Sequence, residues 1–202
     1  MKLALYIHGH GGNADEAKAY ETLFYDCEVV GFDYKAQTPW EAKKEFRSFA
    51  ASLFEGYGSV IVIANSIGAY FTMHSLADMP IEKAFFISPI VDMERLILNM
   101  MTWAGVSEDE LRVKKEIPTS FGENLSWEYL SYVRANPIEW RVPTAILYGE
   151  HDNMTSYATM AEFAERTGAS LTVMKDGEHW FHTEEQMSFL FNWIRKEKFY
   201  EA

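Results

Sequence analysis

Ser59-Val60-Ile61-Val62-Ile63-Ala64-Asn65-Ser66-Ile67-Gly68-Ala69 is the stretch whose reading decides the fold. A run of β-branched apolar residues, Val60 to Ile63, gives way at Ala64 to the small polar pair Asn65-Ser66. Beyond it Ile67, Tyr70, Phe71 and Leu76 take up a roughly helical spacing. A buried strand running straight into a helix leaves Ser66 on the sharp turn between them. Small residues flank that turn on both sides, Ala64 before and Gly68 after, so two backbones can pack closely around it. An ordinary buried strand, followed by a serine that caps the next helix, accounts for the same residues.

Working outward, runs of strand length recur at 3–7, 29–32, 60–64, 84–87, 144–148 and 171–174. Helical periods separate most of them. Ala17, Tyr20, Leu23 and Phe24 make one stripe. A second comprises Ala42, Phe46, Phe49, Ala50 and Leu53, begun by Pro39 at a first-turn position. Tyr157, Met160, Ala161 and Ala164 precede the stop at Gly168, and Met187, Leu190, Phe191 and Ile194 follow a capping box begun by Thr183. Strands apolar on both faces, alternating with helices, predict an α/β fold with a doubly wound, mainly parallel six-stranded sheet and helices on both faces.

The length of 202 residues and an apolar fraction of 48% suit one domain over 1–202 with a single core. The net charge of −12 repels phosphate backbones and anionic lipid, so neither nucleic acid nor a membrane surface is an expected partner. No apolar run approaches the ~20 residues of a membrane span. Met1 to Ile7 is too short for a signal-peptide core and reads as the first strand. The lone Cys27 forms no internal disulfide, reads as a buried strand-edge residue and suits a reducing cytoplasm. From Ser88 to Val142 no strand-like run is expected. Met93, Leu96, Ile97, Met100 and Met101 suggest one helix there, Gly122-Glu123-Asn124 a turn, and Trp127, Leu130, Tyr132 and Val133 a second helix.

Three loops at predicted strand ends carry the chemistry. The first strand ends in His8-Gly9-His10-Gly11-Gly12, whose glycines allow a tight turn with bare N–H groups. A phosphate-binding turn is the rival reading, but Ala14 stands where G-x-G-x-x-G needs its last glycine, and no Lys-Ser/Thr ending follows. The fifth strand runs into Gly149-Glu150-His151-Asp152-Asn153, and the sixth into Gly177-Glu178-His179-Trp180-Phe181-His182.

These segments resemble the α/β-hydrolase family. The first stretch resembles its nucleophile elbow, G-x-S-x-G, with Ala64 in place of the first glycine. The glycine loop is similar to its His-Gly loop, the 149–153 segment to its G-x-x-D loop, and the 177–181 segment to its base loop, G-x-x-H or G-x-H followed by an aromatic residue, here in the G-x-H form. The resemblance implies a Ser66, His179, Asp152 triad, with Glu150 the runner-up acid and His182 the competing base. It also implies oxyanion donors at the backbone N–H groups of His10 and Ile67, a structural His8, and a helical cap over 89–142. His74, two turns along the helix from Ser66, reads as a packed residue. An imidazole, with its pKa near ~6.5 in model peptides, can take the serine proton and return it.

Neither cofactor nor metal is expected. The implied activity is a cytoplasmic serine hydrolase cleaving a small ester or thioester through an acyl-enzyme, with a small acyl compound as its partner. Met93, Met100, Met101, Trp103 and Trp127 are candidates for an adaptable apolar acyl site, or else the core of the cap. A peptidase or amidase of the serine-aminopeptidase type, and a binding module that keeps the fold without catalysis, are the alternatives.

Overall fold

The computed structural model describes residues 1–199. In chain order it forms β1 (Lys2–Ile7), a short 3-10 helix (Ala14–Tyr20), β2 (Glu28–Phe32), α1 (Pro39–Phe54), β3 (Ser59–Asn65), α2 (Ser66–Leu76) and β4 (Lys83–Ile87). There follow α3 (Met93–Ala104), α4 (Glu108–Lys114), β5 (Glu116–Pro118), β6 (Asn124–Ser126) and α5 (Trp127–Ala135). The chain closes with β7 (Thr144–Gly149), α6 (Tyr157–Thr167), β8 (Ser170–Met174) and α7 (Glu184–Phe199). Two compact units result among the described residues: residues 1–91 with 139–199, and residues 92–138.

The first unit is built on one six-stranded sheet in the order β2-β1-β3-β4-β7-β8. Every pairing in it is parallel. All six runs picked out by their apolar residues are strands of this sheet. The chain winds from β1 outward to β2, then crosses back to β3 on the other side of β1. That reversal opens a crevice at the carboxyl ends of β1 and β3, the place where open α/β sheets bind ligands.

Alternation along the strands sends Ala4, Tyr6, Ile63, Phe85, Ile87, Ala145 and Leu147 to one face. There they pack with Tyr20, Leu23 and Phe24 from the chain after β1, and with Leu190, Trp193 and Ile194 of α7. The paired helices α1 and α2 form a second layer. Phe46 of α1 meets Phe32 of β2 at 5.0 Å and Phe71 of α2 at 6.1 Å between ring centroids. Thr38 and Glu41 close a capping box ahead of Pro39. Gly168, at φ +71°, ends α6. Thr183 receives the Gln186 N–H at 3.2 Å where α7 begins.

The stripe through Ala17 and Tyr20 forms a 3-10 helix and turns, where the spacing suggests a longer α-helix. The reason lies in β2. A Cβ built on Gly31 would stand 2.0 Å from the Ala14 carbonyl oxygen, so the 3-10 segment lies directly on that glycine. Cys27 is half-buried in the turn before β2, and burial raises its thiol pKa.

The second unit contains α3, α4, α5 and an antiparallel β5–β6 hairpin. The hairpin and α4 are departures from the sequence reading, which expects no strand between Ser88 and Val142. Asp92, Ser107 and Ser126 cap the three helices. The Arg134 guanidinium ties them together, bonding Glu94 at 2.7 Å and Glu108 at 2.7 and 3.0 Å. Those two carboxylates raise the Arg134 pKa further. Among the described residues no helix is long and apolar enough to cross a membrane.

Gly31→Ala is expected to lower the unfolding free energy by about 1–3 kcal/mol, the usual range for overpacking a closed interior. Urea denaturation monitored by circular dichroism checks this. A wild-type midpoint would mean that the 3-10 segment can move off β2 without penalty.

Candidate active site

The loops that leave β1, β3, β7 and β8 gather at the carboxyl edge of the sheet. At its centre Ser66, the first residue of α2, has φ +50°. A left-handed conformation at a residue other than glycine costs on the order of 1–3 kcal/mol and persists only where the surroundings enforce it. Here they do. Asn65 remains in register with Ile87 of β4, and the Ile90 N–H donates to the Ser66 carbonyl at 3.2 Å. From the other side the β1 loop closes in, since a Cβ at Gly68 would lie 2.2 Å from the His8 carbonyl oxygen. Only glycine permits that approach.

His179 comes from the loop after β8 and Asp152 from the loop after β7. The two loops are fastened to each other by His151 N–H to the Gly177 carbonyl at 2.7 Å and Glu150 N–H to the Met174 carbonyl at 3.0 Å. The Asp152 side chain is fully buried. Its Oδ1 accepts the N–H groups of Met154 (2.8 Å) and Thr155 (3.0 Å), and its Oδ2 accepts from His179 Nδ1 at 2.8 Å. With the proton of the neutral ring on Nδ1, Nε2 is an acceptor. That nitrogen stands 2.8 Å from Ser66 Oγ. Three side chains separated by up to 113 residues thus form one hydrogen-bonded chain, the arrangement that a serine, a base and an orienting acid need for acyl transfer.

His8 is buried, with its ring stacked on Tyr34 at 4.3 Å and its Nδ1 on the Gly9 carbonyl at 2.8 Å. Tyr34 in turn donates its hydroxyl proton to the His8 carbonyl at 2.9 Å. The backbone of Gly9 lies against the serine, its virtual Cβ 3.2 Å from Ser66 Cβ. His10 therefore sits on the loop that packs on the elbow. Ile67 sits in the first turn of α2, where backbone N–H groups lack intrahelical partners.

The competing groups lie elsewhere. Glu150 is exposed and accepts the Asp176 N–H at 3.0 Å. His182 stacks on Trp180 at 4.3 Å and bonds its carbonyl, while its N–H donates to Gln186 Oε1 at 3.0 Å. His74 lies parallel to Tyr70, and burial, followed by the charge of Lys43, lowers its pKa. Among the described residues one trio of possible metal ligands converges, Glu150, His151 and Asp176, all three exposed. Nothing buried or preorganised distinguishes it from hydrated surface charge.

The five candidates for an acyl site belong to the second unit. Met93 and Met101 are buried, in keeping with the packing role left open by the sequence. Met100 and Trp127 are half-buried, and the exposed Trp103 meets Phe121 edge-on at 6.2 Å. Sequence reasoning missed Tyr6 and Glu16, which reach the elbow through Asn65. The Asn13-x-x-Glu16 capping spacing could have marked Glu16, but Tyr6 reads as one more apolar strand residue.

No protein-family model matches the chain, and no curated sequence is similar to it. Solved structures are. Alpha/beta hydrolase domain-containing protein 10 from mouse superposes with a TM-score of 0.79 at 15% identity, covering 99% of this chain and 90% of that one. Est1E from Butyrivibrio proteoclasticus gives 0.79 at 14% identity, covering 99% and 88%. A monoacylglycerol lipase from Paleococcus ferrophilus gives 0.63 at 16%, covering 96% and 94%. The chain therefore has the α/β-hydrolase fold, as its motifs imply.

The buried Asp152–His179 bond is expected to give a ring N–H proton resonance far downfield of the amide region. Asp152→Asn, which turns a donor toward Nδ1, should abolish that signal. A spectrum that keeps the resonance in the variant would show Nδ1 bonded elsewhere.

Proposed function

We propose that the chain is a serine hydrolase that cleaves a small ester or thioester through an acyl-enzyme. One observation carries the reading: a strained serine hydroxyl 2.8 Å from an imidazole whose far nitrogen is held by a buried carboxylate. Similarity to Est1E and to the lipase supports hydrolysis. The chemistry follows from the positions of the atoms. As Ser66 Oγ attacks the acyl carbonyl, His179 Nε2 takes its proton. Asp152 stabilises the resulting imidazolium and keeps the ring oriented. The oxyanion forms next to the β1 loop and the start of α2, where the N–H groups of His10 and Ile67 serve as donors. Each such donor typically contributes about 10²–10³ in rate. The imidazolium then protonates the leaving group, and water repeats the sequence on the acyl-enzyme.

Ser66→Ala and His179→Ala should each reduce hydrolysis of a p-nitrophenyl ester by several decades, and the double variant should fall no further, because the two groups act as a unit. His182→Ala should retain activity. Steady-state kinetics on p-nitrophenyl acetate, an acyl thioester and aminoacyl amides test the whole reading. An active Ser66→Ala protein would overturn the nucleophile. Faster cleavage of amides than of esters would overturn the substrate class.

A further inference from the structure

We infer that Glu16, Tyr6 and Asn65 form a chain of positioning residues that couples the β1 loop to the nucleophile turn. Its links are short and its middle is fully buried. The Tyr6 hydroxyl, 1% exposed as a residue, donates to Glu16 Oε2 at 2.5 Å and accepts from Asn65 Nδ2 at 2.8 Å. The other carboxylate oxygen of Glu16 accepts the Asn13 N–H at 3.1 Å. A Cβ on Gly12 would stand 2.7 Å from that same oxygen. One carboxylate thus braces the far end of the glycine loop, and through Tyr6 it reaches the residue bonded to Ser66.

Two features separate this chain from ordinary core packing. Asn65 occupies the N-cap position of α2, where an asparagine ordinarily accepts from the helix, yet it makes no such capping bond. Its amide turns to Tyr6 instead, leaving Asn65 Oδ1 buried without a partner among the described residues. Tyr6 is also the one polar side chain within β1 between Leu3 and Ile7. Its ring packs on Tyr20 at 5.1 Å, and burial raises the pKa of its phenol, keeping it a neutral donor toward Glu16. A phenylalanine would fill the same volume with no polar group to satisfy. A buried hydrogen-bonded chain fixes relative position more sharply than apolar contact does. The position fixed here is that of the β1 loop, with its candidate oxyanion donor at His10, relative to Ser66. Displacements on the order of 1 Å at such a site lower rates by about 10²-fold.

The inference rests on the serine-hydrolase reading, and its test separates the two. The chemical step and the affinity for a trifluoromethyl ketone, which forms a tetrahedral oxyanion adduct on the serine, are measured in the wild type and four variants. Tyr6→Phe and Glu16→Ala are expected to lower kcat about 10- to 100-fold with KM held within about twofold, and to weaken the ketone by the same factor. Glu16→Gln, whose single amide oxygen can accept from Tyr6 but not also from the Asn13 N–H, should recover part of the rate. Tyr20→Phe, which removes a neighbouring hydroxyl outside the chain, should match the wild type. Glu16 lies on the exposed side of the 3-10 helix, so its variants report even if Tyr6→Phe unfolds. A wild type without turnover overturns the hydrolase reading itself. An active wild type, with kcat and ketone affinity unchanged in Glu16→Ala, overturns the positioning role alone. So does an equal loss in Tyr20→Phe.

Discussion

Everything distinctive about this molecule depends on one backbone conformation, the left-handed turn at Ser66. A serine relaxes to negative φ unless it is held, and the strain of on the order of 1–3 kcal/mol has to be met by neighbouring contacts. Those contacts come from three directions: the β3–β4 pairing at Asn65, the Ile90 N–H on the Ser66 carbonyl, and the His8 carbonyl pressed against Gly68. The turn lifts the hydroxyl out of the strand and aims it along the carboxyl edge of the sheet. A relaxed serine in the same sequence would be a helix cap and nothing more.

The parallel sheet supplies what the turn needs. Because β1, β3, β7 and β8 all run the same way, their following loops converge on one edge. The β7 and β8 loops are bonded to each other through His151 and Glu150, so Asp152 and His179 sit on one fastened pair of loops. An imidazole fixed by a buried carboxylate has few alternative orientations. The ordering entropy of that geometry is met in folding. The second unit, inserted between β4 and β7, has its own fastening at Arg134, which binds carboxylates from two other helices.

Much of this was legible in the sequence because local chemistry and tertiary role agree. Val60 to Ile63 can scarcely be anything but a buried strand, and Asn65-Ser66 breaks it at a single place. Gly177-Glu178-His179 and Gly149 to Asp152 each follow an apolar run, so strand ends and reactive groups fall together. The 3-10 helix at Ala14–Tyr20 escaped because its apolar spacing is helical, whereas its winding is set by the backbone contact with Gly31, which no local pattern shows. The β5–β6 hairpin escaped because three residues per strand carry no usable alternation. The Glu16–Tyr6–Asn65 chain escaped for a different reason: Tyr6 pairs with residues 10 and 59 positions away, and hydrogen-bond partners at such separations leave no periodic trace.

The most direct measurement is the site of covalent capture by a fluorophosphonate at neutral pH, read by mass spectrometry of the digested protein. A single adduct is expected on the peptide containing Ser66, formed slowly or not at all in His179→Ala. An intact wild-type protein that stays unmodified, or one that carries its adduct on another serine, would contradict it.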